Sequence, residues 1–166
     1  MDFYPPSLSN NFLTIGMLPD SISIMDFDKS DFSIVDHTAD LGIRVCGTNL
    51  KDLFERAAIS MIQIMLRGNP EKKTKTVKLS VPGEDLADLM VRWLGEILYI
   101  FEGEGEVVTT VSIDSISPTH LDATLKTLPF DPNLHEVLCE IKAVTYHQIQ
   151  VVQKDDHWET TVIFDL

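Results

Sequence analysis

Two stretches of the sequence repeat apolar residues at the spacing of an amphipathic helix, and they constrain the fold more than any other feature. The first follows Asn49, a favourable helix cap, and its apolar positions recur without a gap at i, i+3, i+4 and i+7. It comprises Leu50, Leu53, Phe54, Ala57, Ala58, Met61, Ile62 and Met65. We expect this helix to end at Arg67-Gly68, with a cation in its last turn and a glycine directly after it.

The second stretch begins after the Pro82-Gly83 break and has the same unbroken spacing. Glu84 and Asp85 are expected in its first turn, where the helix dipole favours negative charge, and Gly103 is expected to end it. Its apolar positions are Leu86, Leu89, Met90, Trp93, Leu94, Ile97, Leu98 and Phe101. Both patterns predict helices that bury one face in a hydrophobic core.

Strand-like segments surround the two helices. They are residues 31–35, 41–46, 74–81, 107–116, 120–127, 137–152 and 158–164, and turn formers separate several of them. The longest segment, 137–152, is expected to bend or bulge in the middle. This order predicts an α+β fold, a mostly antiparallel β-sheet with two amphipathic helices packed on one face.

The domain that we predict spans residues 31–166, which is enough chain for one buried core. Residues 1–30 contain short apolar pieces among prolines, serines and asparagines, and we interpret them as an N-terminal extension that is either disordered or packed on the domain. No run of apolar residues is long enough for a membrane helix. Cys46 and Cys139 form no paired metal or redox motif, and two free thiols favour a cytoplasmic protein.

The net charge of −13 limits the classes of partner. An acidic surface repels phosphate, so we expect no direct binding of nucleic acid. The cationic cluster of Lys72, Lys73, Lys75 and Lys78 is typical of a solvated hairpin edge. A basic protein partner suits the charge better, because complementary fields steer association.

Polar groups are concentrated between the first two predicted strands, from Asp36 to Asp40. Asp40 either accepts hydrogen bonds in a turn or binds a ligand, and His37 and Thr38 have the same two interpretations. No serine or cysteine lies in a glycine-flanked nucleophile turn, so a catalytic triad is not predicted. A metal-dependent hydrolase would need His37 or His147 as a general base, and we expect no such activity.

The end of the chain supplies two more anionic groups. Alternation along the last strand places Trp158, Thr160, Val162 and Phe164 on the core face and Asp165 on the other. Asp165 and the terminal carboxylate of Leu166 are either solvated at a frayed strand end or part of an all-oxygen site. Hard cations such as Ca²⁺, Mg²⁺ and Mn²⁺ prefer such sites.

Several motifs resemble the archease family, and they occur in the family's order. They are residues 32–43 with the sequence His-Thr-Ala-Asp, 49–61, 83–99, 140–147 with Lys-Ala-Val-Thr-Tyr-His, and 158–166. The resemblance covers about residues 31–166. It implies a non-enzymatic cytoplasmic accessory protein of the GTP-dependent tRNA-splicing RNA ligase (RtcB type), which promotes guanylylation and multiple turnover of that ligase.

The resemblance also implies a metal site. By motif, its ligands are Asp40, Asp165 and the terminal carboxylate of Leu166, and the ion is a divalent metal, Ca²⁺ in the family, with Mg²⁺ or Mn²⁺ as alternatives. Asp36, His37 and His147 are expected to support or surround the ligands. Lys142 is a candidate contact to the ligase or to its guanylate.

One departure from the family pattern concerns residues 134–138. Similar sequences have two cations near Leu134 and Leu138, and their absence here removes any ligase contact that those cations would make. The alternative function is a chaperone-like protein-binding module. In that case Met61, Met65 and Met90 are expected to form an adaptable apolar surface.

Overall fold

The computed structural model describes residues 22–23, 32–36, 40–68 and 73–166. Within these residues the two helices are α1, Leu50–Met65, and α2, Leu86–Glu102. The strands are β1 Ile22–Ser23, β2 Phe32–Asp36, β3 Leu41–Gly47, β4 Leu66–Gly68, β5 Lys75–Pro82, β6 Glu106–Ser117, β7 His120–Pro129, β8 His135–Val137, β9 Ala143–Val144, β10 Gln150–Gln153 and β11 Trp158–Asp165.

The strands pair antiparallel and form two main sheets with a small third one. The first sheet has the order β1-β6-β7-β5, and the second has the order β10-β11-β3-β2 with β9 added to β11. β4 and β8 form a separate pair. The predicted α+β class is confirmed, although no pattern in the sequence indicated that the strands divide between two main sheets.

The core lies where the two helices meet one face of each main sheet. α1 contacts β3 and β6, and α2 contacts β5, β6 and β9, so each helix contacts both sheets. The indole Nε1 of Trp93 donates to the carbonyl oxygen of Phe54 at 3.0 Å and joins the helices inside the core. Met61, Met65 and Met90 are buried there as well, so the expected methionine surface is wrong.

The helix termini differ in part from the sequence predictions. Asn49 caps α1 as expected, since its Oδ1 accepts from the Asp52 backbone N–H at 3.0 Å. The helix ends at Met65 and not at Arg67-Gly68, because Leu66–Gly68 pairs with β8. Asp85 is the N-cap of α2 rather than a first-turn residue, and Gly103 is its C-cap as expected.

The predicted long strand 137–152 is wrong. The segment divides into the end of β8, then β9 and β10, and Gln148 between the last two has a φ of 53°. Its backbone bonds go to different partners, since β8 pairs with β4 whereas β9 and β10 pair with β11. Apolar, β-branched composition predicted an extended backbone but carried no information on which strand each part would meet.

The predicted N-terminal extension is described only at Ile22–Ser23, which pairs with β6 through Ile22 opposite Val111. The rest of residues 1–30 lies outside the described residues, and the domain boundary at residue 30 stays a prediction. Neither α1 nor α2 is long and apolar enough to cross a membrane.

Candidate metal centre

The pairing of β3 with β11 brings together the two aspartates that the sequence singled out. Leu41 lies opposite Phe164 at the end of this ladder, so the next residue on each strand is Asp40 and Asp165. Asp40 directly precedes β3 and Asp165 is the last residue of β11, so both side chains lie at the same end of this ladder. Both residues are exposed, and the strand register therefore places two solvent-facing carboxylates at one edge.

The chain terminus is fixed at the same edge by the segment that contains β9. The backbone N–H of Lys142 donates to the Asp165 carbonyl oxygen at 2.8 Å. The Lys142 Nζ donates to an oxygen of Leu166, the terminal residue, at 2.7 Å. Lys142 thus contacts Leu166 of its own chain through its side chain, and the ligase contact expected of it stays a prediction.

A phenol–carboxylate contact anchors this segment to α2. The Tyr146 hydroxyl donates to Asp88 Oδ1 at 2.6 Å, and Arg92 Nε donates to the other oxygen of Asp88 at 2.7 Å. These hydrogen bonds lower the pKa of Asp88, and the one from Tyr146 has the largest effect. The Asp88 carboxylate in turn raises the pKa of the Tyr146 phenol. A charged Asp88 at neutral pH therefore positions the segment that carries Lys142.

The donor set at this edge fits a hard divalent cation. Asp40, Asp165 and the terminus of Leu166 offer only anionic oxygens, which is the ligand type that Ca²⁺, Mg²⁺ and Mn²⁺ prefer. Three such groups near one another repel, and Lys142 compensates part of that charge. Their exposure leaves coordination positions accessible to water or to a partner protein.

The residues expected around the ligands are described only in part. His37 and the side chain of Asp36 lie outside the described residues, although the Asp36 backbone pairs with Leu41 in β2. His147 is exposed, and its backbone N–H donates to Thr145 Oγ1 at 3.3 Å. A supporting role for these three residues stays a prediction.

Ser80, His120 and Asp122 form a polar cluster that sequence reasoning missed. Nε2 of His120 lies 3.0 Å from Ser80 Oγ and 3.1 Å from Asp122 Oδ1. A Ser–His–Asp relay needs one ring nitrogen for each partner, so this geometry is not that of a catalytic triad. The register of β5 and β7, which sets Ser80 opposite Asp122, is the signal that linear sequence lacks.

A model of the Archease protein family (MTH1598/TM1083) matches residues 32–166, most of the chain and every residue of the candidate metal centre. The chain belongs to the archease family. The protein archease of Sulfurisphaera tokodaii is 31% identical over 137 residues, which are 81% of this chain and 98% of that protein. The protein archease of Pyrococcus abyssi is 33% identical over 136 residues, 79% of this chain and 95% of that protein.

Two solved structures related to the archease family have the same fold. The solution structure of Methanobacterium thermoautotrophicum protein 1598 superposes with a TM-score of 0.60 at 27% identity, over 82% of this chain and 99% of that one. The crystal structure of an archease from Thermotoga maritima, described as a possible chaperone, has a TM-score of 0.59 at 22% identity, over 80% of this chain and 94% of that one. The archease fold that the sequence motifs implied is thereby confirmed.

Proposed function

We propose that this chain is a metal-binding accessory protein, not itself an enzyme, that activates a GTP-dependent tRNA-splicing RNA ligase of the RtcB type in the cytoplasm. It promotes guanylylation and multiple turnover of the ligase. The observation that carries the proposal is the β3–β11 register, in which the last pair, Leu41 and Phe164, is followed by Asp40 on one side and by Asp165 and Leu166 on the other. These residues lie within the region that matches the archease family.

The residues at this edge have separate roles in the proposal. Asp40 and Asp165 bind a divalent ion, Ca²⁺ or alternatively Mg²⁺ or Mn²⁺, from adjacent strands. Lys142 orients the terminal carboxylate of Leu166 through its 2.7 Å hydrogen bond. The bound ion supplies positive charge for nucleotide phosphates at the ligase, and the exposure of its ligands lets the partner approach it.

Charge supports a protein partner rather than nucleic acid. The chain has a net charge of −13, which disfavours contact with RNA and favours encounter with a basic protein surface. The ligase therefore binds the RNA in this scheme, and the acidic accessory protein docks on the ligase.

The first test replaces Asp165 with asparagine, which keeps the shape of the side chain and removes its charge. Since Asp165 is exposed, we expect Asp165→Asn to change the free energy of unfolding by no more than about 0.5 kcal/mol. Activation of multiple-turnover ligation should be lost. Glu104→Gln removes an exposed carboxylate from the loop after α2 and should activate fully. Full activation by Asp165→Asn would show that the carboxylate is not needed.

The second test moves the terminal carboxylate without changing any side chain. Adding two glycines after Leu166 leaves β11 intact but displaces the charge that Lys142 contacts. We expect the extended protein to keep its melting temperature and lose most of its affinity for the ion and most of its ligase activation. Undiminished activation would rule out the terminal carboxylate as a ligand.

A chaperone-like binding module is the second candidate, favoured by apolar side chains exposed together in one segment. Leu134, Val137 and Leu138 are each about two-fifths exposed. The description of the Thermotoga structure as a possible chaperone agrees with this reading. Suppression of light scattering from an aggregating client protein would support it, provided that Asp165→Asn suppresses the scattering equally well.

A further inference from the structure

A second group of potential metal ligands lies on the same two strands as the candidate metal centre. Cys46 of β3 is directly opposite Glu159 of β11, and its Sγ lies 3.9 Å from Glu159 Oε2. His157 precedes β11, and one ligand atom from each of the three residues lies within 4.8 Å of the others. We call Cys46, His157 and Glu159 the Cys–His–Glu cluster.

The Cys–His–Glu cluster is separate from the site at Asp40 and Asp165. Both groups project from the same face of the β3–β11 pair, because Asp40 and Cys46 are an even number of residues apart. Glu159 and Asp165 are six positions apart along β11, roughly 20 Å at about 3.4 Å per residue. An ion in one site therefore shares no ligand with an ion in the other.

The hydrogen bond of His157 prepares its ring for coordination. Nδ1 lies 2.7 Å from Asp156 Oδ1, and a carboxylate only accepts, so Nδ1 is the donor and Nε2 is the ring nitrogen left for an ion. A carboxylate that accepts from one ring nitrogen is the usual support of a metal-bound histidine. The backbone of His157 is held too, since its carbonyl oxygen accepts from the Lys154 N–H at 2.8 Å.

We propose that Cys46, His157 and Glu159 bind a Zn²⁺ ion, with a fourth position open to water or to a ligand atom from a bound molecule. Thiolate, imidazole and carboxylate are the three donors that Zn²⁺ takes in proteins, whereas Ca²⁺ and Mg²⁺ prefer oxygen alone. Ligand atoms around a tetrahedral zinc are about 3.5 Å apart. The ligand atoms of the cluster lie within 4.8 Å of one another, so each separation exceeds that spacing by no more than about 1.3 Å.

The test uses Co²⁺ as a spectroscopic substitute for Zn²⁺ on the full-length protein after removal of bound metal. We expect one equivalent of Co²⁺ to produce a thiolate-to-cobalt charge-transfer absorption, and Zn²⁺ to displace it stoichiometrically. Cys46→Ser should abolish this absorption. His157→Gln and Glu159→Gln should each weaken the affinity for Zn²⁺ at least about tenfold, because loss of a residue that only supports a ligand already costs about that much.

Cys139→Ser is the matched control, because it removes the other cysteine and leaves the cluster intact. Cys139→Ser should keep the cobalt absorption. Zn²⁺ should raise the melting temperature of Cys139→Ser and of the wild type, but not the melting temperature of Cys46→Ser. The proposal is overturned if the absorption persists in Cys46→Ser or depends on Cys139. It is also overturned if Zn²⁺ binds equally well without Cys46, since the cluster is then only a cross-strand polar contact.

Two further measurements separate this site from the one at the chain terminus. Asp165→Asn should leave the cobalt absorption unchanged, and excess Ca²⁺ should not displace the cobalt. Loss of the absorption in Asp165→Asn would place the bound metal at the terminus and refute the Cys–His–Glu site. The cobalt assay contains no ligase. Its outcome therefore does not depend on whether the protein activates a ligase, and the two proposals can fail separately.

Discussion

At the scale of single residues, Glu55 combines a structural role with an unusual ionisation. It lies in α1, is almost fully buried, and its Oε1 accepts from the Ile113 backbone N–H of β6 at 2.7 Å. Burial is the main cause that raises its pKa from 4.5 to about 7. This carboxyl therefore joins a helix to the first sheet and changes its charge near neutral pH.

The pH dependence of stability follows from that pKa. Between pH 4.5 and 7 the folded protein holds the Glu55 proton more tightly than the unfolded chain does. The contribution of Glu55 to the free energy of unfolding is therefore largest below pH 4.5 and is lost as the pH rises to about 7. At 1.36 kcal/mol per pKa unit, the full change is roughly 3 kcal/mol.

We predict that Glu55→Gln removes this contribution while keeping an oxygen that accepts from Ile113. The free energy of unfolding of Glu55→Gln minus that of the wild type should increase from pH 4.5 to 7 and should be constant above pH 7. Urea unfolding of both proteins across this range measures the difference. Glu96→Gln, an exposed position in α2, should show no such trend. A pH-independent difference for Glu55→Gln would mean that the carboxyl titrates normally.

At the scale of secondary-structure elements, two glycines differ in what surrounds them. Gly47 ends β3, and a Cβ there would lie 2.5 Å from the Leu53 backbone nitrogen of α1. Gly95 lies inside α2, and a Cβ there would meet nothing within 4 Å. Gly47 allows β3 and α1 to approach closely. Gly95 weakens α2, and no close packing there requires a glycine.

We predict opposite effects for the same substitution at these positions. Gly95→Ala should raise the free energy of unfolding by about 0.5–1 kcal/mol, because alanine restricts the unfolded chain and favours helix. Gly47→Ala should lower it by about 1–3 kcal/mol through overpacking against backbone. Chemical denaturation of both variants checks this, and a stabilised Gly47→Ala would show that β3 and α1 do not approach as closely as described.

At the scale of the whole molecule, one core connects both sheets through the helices. Trp93 is fully buried in that core, and Trp158, the other tryptophan of the chain, is only partly buried at the start of β11. A loss of packing at Trp93 should therefore destabilise strands of both sheets, because each helix contacts both sheets.

We predict that Trp93→Phe lowers the free energy of unfolding by about 1–3 kcal/mol, through a cavity and the lost hydrogen bond to Phe54. Unfolding should remain a single transition, coincident by circular dichroism and by Trp158 fluorescence. Trp158→Phe should cost less because that ring is partly solvated. Separate transitions for the two probes would indicate that the sheets unfold independently.

Short-range information in the sequence determined the local elements. The apolar spacing from Leu50 and from Leu86 predicted both helices, and Asn49 and Gly103 correctly marked a beginning and an end. Helical contacts join residues three or four apart, so a linear pattern contains them. Alternation in the last strand correctly placed Val162 and Phe164 in the core for the same reason.

Only the tertiary structure decided which distant residues meet. The pairing of β3 with β11 sets Asp40 beside Asp165 and Cys46 opposite Glu159. Family resemblance anticipated the first pair, but no linear pattern anticipated the second or the division of 137–152 among three strands. Strand register depends on partners far along the chain, and a strand's own residues specify its two faces but not its neighbour. The sequence by itself therefore determined helices, faces and fold class, and the fold decided the composition of both candidate metal sites.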